Sequence, residues 1–173
     1  MNKFIHTRIK TGKFWTTHIP LLIKTIMISD GPVLEIGGGP YSTPILHWLC
    51  KDMGRMLYTY ENDIDYFNYC KTFQSKLHIV RFIEDWDKLL ANRHWGVVFI
   101  DHHPCGQRAI DAIKFKDHAD YVVLHDTDRE IKYGMDKVWP NFKYRHDWQL
   151  SKPYTSVVSN FKDLREFKNL SSQ

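Results

Sequence analysis

The sequence predicts an α/β fold: a seven-stranded, mostly parallel sheet with one antiparallel strand and helices on both faces. Three observations predict it. Five short apolar runs recur along the chain, each followed by a stretch of helical spacing, so strands and crossover helices alternate. The first run, Val33-Leu34-Glu35-Ile36, passes straight into three glycines and then Ser42, Thr43 and Pro44, the residue types of a strand turning into a helix start. The last two runs, Phe142 to Trp148 and Thr155 to Ser159, have only Lys152-Pro153 as punctuation between them. They read as an antiparallel pair that closes the sheet, with an antiparallel strand at one edge.

Length and composition set the bounds. At 173 residues, 43% hydrophobic and 14% aromatic, the chain suits one folded domain over 1–173, with a basic lead-in at 1–13 and a polar tail at 168–173. A net charge of +4 is too small for the footprint of a dedicated nucleic-acid binder, although ten histidines add charge below about pH 6.5. Cys50, Cys70 and Cys105 are scattered, without C-x-x-C spacing, and read as reduced thiols in a cytoplasm. The longest apolar run, Ile19 to Ile28, is interrupted by Pro20 and Lys24 and is too short for a bilayer, so no membrane partner is expected.

Taken in order, Phe14 to Ile28 carries a helical stripe of Leu21, Leu22, Ile23, Ile26 and Met27, stopped by Asp30-Gly31-Pro32. Ser42 and Thr43 are candidate caps for the helix after the glycines, whose apolar face is Ile45, Leu46, Trp48 and Leu49. Met56 to Tyr60 is the second strand, closed by Glu61. Ile64, Phe67, Cys70 and Phe73 make the stripe of the next helix, and Leu77 to Phe82 the third strand. Trp95 to Ile100 is the fourth, ending in Asp101-His102-His103-Pro104, with Arg108, Ala109, Ile110 and Ile113 in the helix behind it. Asp120 to His125 is the fifth, ending His125-Asp126-Thr127-Asp128, and 129–138 reads as a last helix with Ile131, Met135 and Val138 inward.

Ligands of such sheets lie beyond the carboxyl ends of the strands, and Glu35, Glu61, Asp85, Asp101 and Asp126 all fall there. Glu61 follows Glu35 by 26 residues, near the separation at which nucleoside-binding sheets place a ribose-binding acid; its competing role is to cap the helix that starts at Asn62 and Asp63. The run Glu35-Ile36-Gly37-Gly38-Gly39 departs from the dinucleotide fingerprint, since Ser42 stands where the third glycine would be. It resembles instead the first motif of class I S-adenosylmethionine-dependent methyltransferases, acidic-x-Gly-x-Gly, with Tyr41 where many members carry a further glycine. The resemblance extends in element order from about Phe14 to Phe161. It implies S-adenosylmethionine as cofactor, held by Glu35, Gly37, Gly38, Gly39 and Ser42. Glu61 and Asn62 would hold the ribose, Asp85 and Trp86 the adenine, with Asp101 beyond and a lid from Trp15-Thr16-Thr17-His18 that includes Thr17.

The candidate chemistry clusters on two strand ends. In one arrangement Asp101 and Asp126 hold a magnesium ion that activates an acceptor hydroxyl, resembling metal-dependent small-molecule O-methyltransferases, with His125 replacing the carboxylate often found beside the second acid. In the other there is no metal, and His102, His103 or His125 is the general base, with Asp101 orienting it or the cofactor. Asp101-His102-His103-Pro104 lacks the apposed prolines and aromatic of nucleic-acid amino-methyltransferases, which favours a small-molecule or sugar acceptor. An RNA acceptor rests on the basic, aromatic start (Lys3, Phe4, Arg8, Lys10, Lys13, Phe14, Trp15), and a non-catalytic nucleoside binder would have no use for Asp101 or the histidine pairs. With no insertion after the fifth strand, the acceptor is small or a second copy of the chain completes the site.

Overall fold

The computed structural model describes Gly12 and residues 14–170, the last three by backbone alone; the basic lead-in, apart from Gly12, and the end of the polar tail lie outside it. Seven strands form one sheet: β1 (Val33–Ile36), β2 (Leu57–Glu61), β3 (His78–Phe82), β4 (Trp95–Ile100), β5 (Ala119–His125), β6 (Tyr144–Trp148) and β7 (Thr155–Ser159). Their spatial order is β3-β2-β1-β4-β5-β7-β6, and β7 alone runs against its neighbours. The antiparallel strand is therefore not the edge but lies one place in from it. The residues explain the placement: every position of β7 is buried, whereas β6 carries Arg145 and Asp147 and is exposed at its start, as suits an edge.

Alternation along the central strands sends side chains to two cores. Leu34, Ile36, Val98 and Ile100 pack with Ala109, Ala112 and Phe115 of α4 (Gln107–Phe115). Val33, Val97 and Phe99 pack with Leu21, Leu22 and Ile26 of α1 (Ile19–Ile28) and Leu46 of α2 (Ser42–Asp52). Both faces of the sheet are thus covered, as a buried parallel sheet requires.

Several local expectations change. The first helix starts at Ile19, with Pro20 in its first turn, so residues 14–18 are turns and not helix. Neither Ser42 nor Thr43 caps α2, because Thr43 is drawn to Glu35 instead. Trp48 and Ile110 face outward. The segment 129–138 is broken: α5 (Glu130–Tyr133) ends at Gly134, whose φ of 71° turns the chain out of the helix. That turn leaves Ile131 89% exposed, while Met135 and Val138 are buried as expected. In α3 (Ile64–Lys71), only Cys70 of the expected stripe is fully buried, and Ile64 is exposed.

Candidate functional site

A cavity of about 610 Å³ opens at the carboxyl ends of β1, β2, β4 and β5 and is floored by the glycine bend, a volume in the range of small-ligand sites. The bend needs its glycines for different reasons. Gly37 has φ +89° and lies against β4, where a Cβ would come within 2.5 Å of the His102 backbone. A Cβ on Gly38 would meet Cys70 Sγ at 2.4 Å, while one on Gly39 would find only the Tyr66 ring, at 3.9 Å. Backbone thus packs beneath the bend and leaves its upper side open as a cradle.

Glu61 stands beside this floor. Its Oε2 accepts the Gly38 N–H at 2.9 Å, and its Oε1 accepts those of Asn62 and Asp63 at 2.8 and 2.7 Å. Burial pushes the carboxyl up to about 7, while those three donors pull the other way. Capping of α3 falls to Asp63, which accepts from the Asp65 and Tyr66 N–H groups. Asn62 reaches across to the His103 carbonyl at 3.1 Å, tying the ends of β2 and β4 together.

Glu35 does not line the cavity. It is fully buried beneath the bend, where Thr59 donates to it at 2.6 Å and Thr43 at 2.9 Å. The Thr43 hydroxyl in turn accepts the Gly39 N–H at 2.9 Å. Glu35 therefore acts one layer below the expected contact, and it carries a pKa of about 7, pushed up by burial against hydrogen bonds from Ser42, Thr59 and Thr43. Ser42 does line the cavity.

The expected adenine pair goes elsewhere. Asp85 is exposed and accepts the Asp87 N–H, capping a short turn. Trp86 is a core residue, its ring 4.4 Å from that of His102 and its indole N–H donating to the His103 carbonyl at 2.9 Å. Indole and polar cap both satisfy local structure, and neither lines the cavity.

The strand ends of β4 and β5 meet at Arg108. Its Nη1 lies 2.9 Å from Asp101 Oδ1 and 2.7 Å from Asp126 Oδ2, and its Nε donates to the His102 carbonyl at 2.7 Å. A guanidinium thus fills the place between the two acids that a magnesium ion was expected to take. The residues do not fit that ion: both carboxylates already pair with a buried guanidinium of fixed geometry, and Asp101 pairs with His125 as well. His18, Asp101 and His125 also bring ligand atoms within 4.8 Å of one another. There too a dication would stand beside Arg108 and a histidine already paired with Asp101.

His125 Nδ1 lies 3.1 Å from Asp101 Oδ1, and its Nε2 lies 3.0 Å from the Thr17 hydroxyl. That hydroxyl donates to the Pro153 carbonyl at 2.6 Å, so at His125 it accepts. His125 therefore donates from both nitrogens, as an imidazolium. Burial works against this charge, but Asp101, by charge and hydrogen bond, and Asp126 raise the pKa above the ordinary histidine value. Burial would lift Asp101; His125 and Arg108 override it and hold the carboxyl well below the usual range. Neither His125 nor Thr17 is then free for the roles expected of them: Thr17 pins the turn before α1 to the Pro153 loop, and His125 anchors Asp101.

His102 is likewise not a base at the cavity. Its ring is turned into the protein, with Nε2 3.1 Å from Asp111, whose other oxygen is 2.7 Å from Lys114. His103 is exposed at the cavity wall. His18, expected only as part of a lid, lines the cavity at 2% exposure with both ring nitrogens unpartnered. Burial and the neighbouring His125 charge lower its pKa to about 3, with Asp101 opposing, so it is neutral. Arg108 was the missed residue with a readable signal. It shares the buried stripe of α4 with Ala109, Ala112 and Phe115, so its charge had to find carboxylates.

With this geometry in hand, the chain is similar to known methyltransferase structures. A Klebsiella pneumoniae protein described only as a candidate O-methyltransferase is 12% identical, with a TM-score of 0.61 over 88% of this chain and 82% of that one. The N-terminal domain of human METTL16, solved with S-adenosylhomocysteine, is 13% identical, with a TM-score of 0.61 over 94% and 76%. The Thermus thermophilus 16S rRNA N2 G1207 methyltransferase, solved with S-adenosylmethionine and guanosine, is 15% identical, with a TM-score of 0.57 over 90% and 42%. No protein-family model matches the sequence, and no curated protein matches it. The chain has the class I S-adenosylmethionine-dependent methyltransferase fold. Among the described residues, no helix is long and apolar enough to cross a membrane.

Proposed function

We propose that the protein is a methyltransferase that moves a methyl group from S-adenosylmethionine to a hydroxyl of a small molecule or sugar, without a metal ion. One observation carries the proposal: the Glu61 carboxylate, fixed by three N–H groups, faces the cavity beside an open glycine floor at the strand ends. A ribose diol is the ligand group that such a carboxylate suits. Gly37, Gly38, Gly39 and Ser42 would cradle the rest of the cofactor, which supplies an electrophilic methyl on a sulfonium. Asp101 stays ionised and rigid between Arg108 and His125, so it orients a donor group and does not abstract a proton. His103, exposed on the wall, takes the acceptor's proton and passes it to water. Much of the catalysis then comes from alignment in a partly closed cavity. Three free cysteines fit a reducing compartment, and we place the protein in the cytoplasm.

A nucleobase acceptor is the second reading, favoured by Trp15, Tyr41 and Tyr66 on the cavity walls, whose rings can stack on a base. Calorimetry with S-adenosylhomocysteine tests the cofactor: micromolar binding is expected, weakened at least tenfold by Glu61→Ala, and no binding by the parent would end the proposal. Transfer of labelled methyl in an extract separates the acceptors. Label in the small-molecule fraction, undiminished by EDTA, is expected; label in RNA would select the second reading, and loss of all turnover in EDTA would restore the metal.

A further inference from the structure

Beneath the glycine bend, four side chains from four elements form an unbroken hydrogen-bonded chain that the proposed chemistry does not use. Thr59 of β2 donates its one hydroxyl proton to Glu35 of β1 at 2.6 Å. At its 2.8 Å contact with His78 Nε2 the same hydroxyl must accept, so that nitrogen carries the proton. His78, on β3, is held down to about 4 by burial and by His47, against the Phe73 carbonyl, and is neutral. Its Nδ1 is therefore a lone pair, which accepts from His47 Nδ1 of α2 at 3.1 Å. His47 is 8% exposed and is the outer end. At the inner end, Glu35 holds Thr43, and Thr43 holds the Gly39 N–H.

We propose that His47, His78, Thr59 and Glu35 are a proton path from the surface to the underside of the cofactor loop, and that the proton at its inner end sets the hydrogen bonding that holds the bend. His47, His78 and Thr59 each have both a donor and an acceptor, and the Glu35 carboxylate accepts at the end, which is what a relay needs. A proton from water joins His47 Nε2, and the Nδ1 proton passes to His78 Nδ1. The His78 Nε2 proton passes to Thr59 Oγ1, and the Thr59 hydroxyl proton passes to Glu35 Oε2. Both histidines end neutral in their other tautomers and Glu35 ends as a carboxylic acid, with no heavy atom displaced. Oε2 then donates to Thr59, so the Thr43 hydroxyl keeps only the uncharged Oε1, at 3.0 Å, and a less polarised hydroxyl accepts the Gly39 N–H more weakly.

The other ionisable groups facing Glu35 are Glu61 at the end of β2, Cys70 and Tyr69 of α3 and Cys50 of α2. Burial pushes the two thiols and the phenol up, so none of these competes for the proton near neutrality. Glu61 titrates in the same range, and Lys51 faces His47.

The part of the proposal that concerns cofactor affinity rests on the function proposed above; the path itself does not, and it is tested without ligand. In ¹⁵N-histidine and ¹³C-glutamate spectra of the parent, His78 should be the Nε2–H tautomer at pH 8. It should change to Nδ1–H as the Glu35 carboxyl takes up its proton near pH 7. His47→Phe, at the surface end and away from the cavity, should leave both Glu35 states populated but turn its single shifting signal into two slowly exchanging ones; His78→Phe should do the same. A His78 tautomer that ignores Glu35, or Glu35 exchange unchanged in His47→Phe, would overturn the path. With S-adenosylhomocysteine as probe, Glu35→Gln at pH 8 should fall severalfold toward the parent's affinity at pH 6, and equal affinity would remove the link to the bend. If the parent binds no S-adenosylhomocysteine at any pH, the proposed function fails while the spectra still decide the path.

Discussion

Arg108 shows how one side chain changes the chemistry of a site. Its guanidinium sits where the resemblance to metal-dependent O-methyltransferases put a magnesium ion between Asp101 and Asp126, and it brings its charge covalently. Removing it leaves Asp126 without its cation, facing an Asp101 that keeps only His125. Arg108→Ala should therefore lose about 3–5 kcal/mol of stability in urea titrations. Millimolar magnesium should raise the melting temperature of that variant and not of the parent. A parent stabilised by magnesium would mean that the guanidinium yields to the ion. What could be read from the sequence at this scale was which acids lie at strand ends, because position in a strand is local. Where Glu35 and His125 spend their hydrogen bonds was not, because Thr43, Thr59 and Thr17 reach them from other elements.

The glycine bend was legible as an element, from its run of glycines between an apolar strand and a polar helix start. Its internal division of labour was not, since that depends on what packs behind each residue. Substitutions by alanine should rank accordingly. Gly37→Ala forces a Cβ into backbone at 2.5 Å and strains a positive φ, and it should give little soluble folded protein. Gly38→Ala presses on Cys70 Sγ and on the Thr59 methyl at 2.8 Å, and it should fold with a lowered melting temperature. Gly39→Ala meets only the Tyr66 ring, at an ordinary contact distance of 3.9 Å, so it should melt like the parent yet bind S-adenosylhomocysteine at least tenfold more weakly. A Gly39→Ala protein with unchanged affinity would argue that no ligand lies on the bend. The misread helix at 129–138 has the same lesson: apolar spacing continued through Gly134, but the backbone did not.

Across the whole molecule, the parallel sheet and its two covered faces followed from alternation of short apolar runs with helical ones. The interior place of β7 did not, because it is settled by the burial of small residues against β5. Burial also sets how the fold responds to acid, through two opposed sets of groups. Glu35 and Glu61 are raised from 4.5 to about 7, so between those values the folded state holds more protons than the unfolded one and loses stability as pH rises. His18 and His78 are lowered from 6.5 to about 3 and 4, so there the unfolded state holds more protons and stability grows as pH rises. From about pH 4.5 to 6.5 these four groups oppose one another, and His47, His102 and His146, also lowered by burial, add to the histidine side. Below about 4.5 the glutamates are protonated in both states, and only the histidines, joined by Asp101 with its depressed pKa, still favour unfolding as pH falls. Two protons amount to about 2.7 kcal/mol per pH unit. Urea titrations from pH 3 to 8 should therefore show stability falling more steeply below about pH 4.5 than between 4.5 and 6.5. In His18→Phe the unfolded state no longer takes up a proton that the folded state refuses, so its acid limb should be flatter by about one proton's slope. An equally steep limb would mean that His18 is protonated in the folded protein.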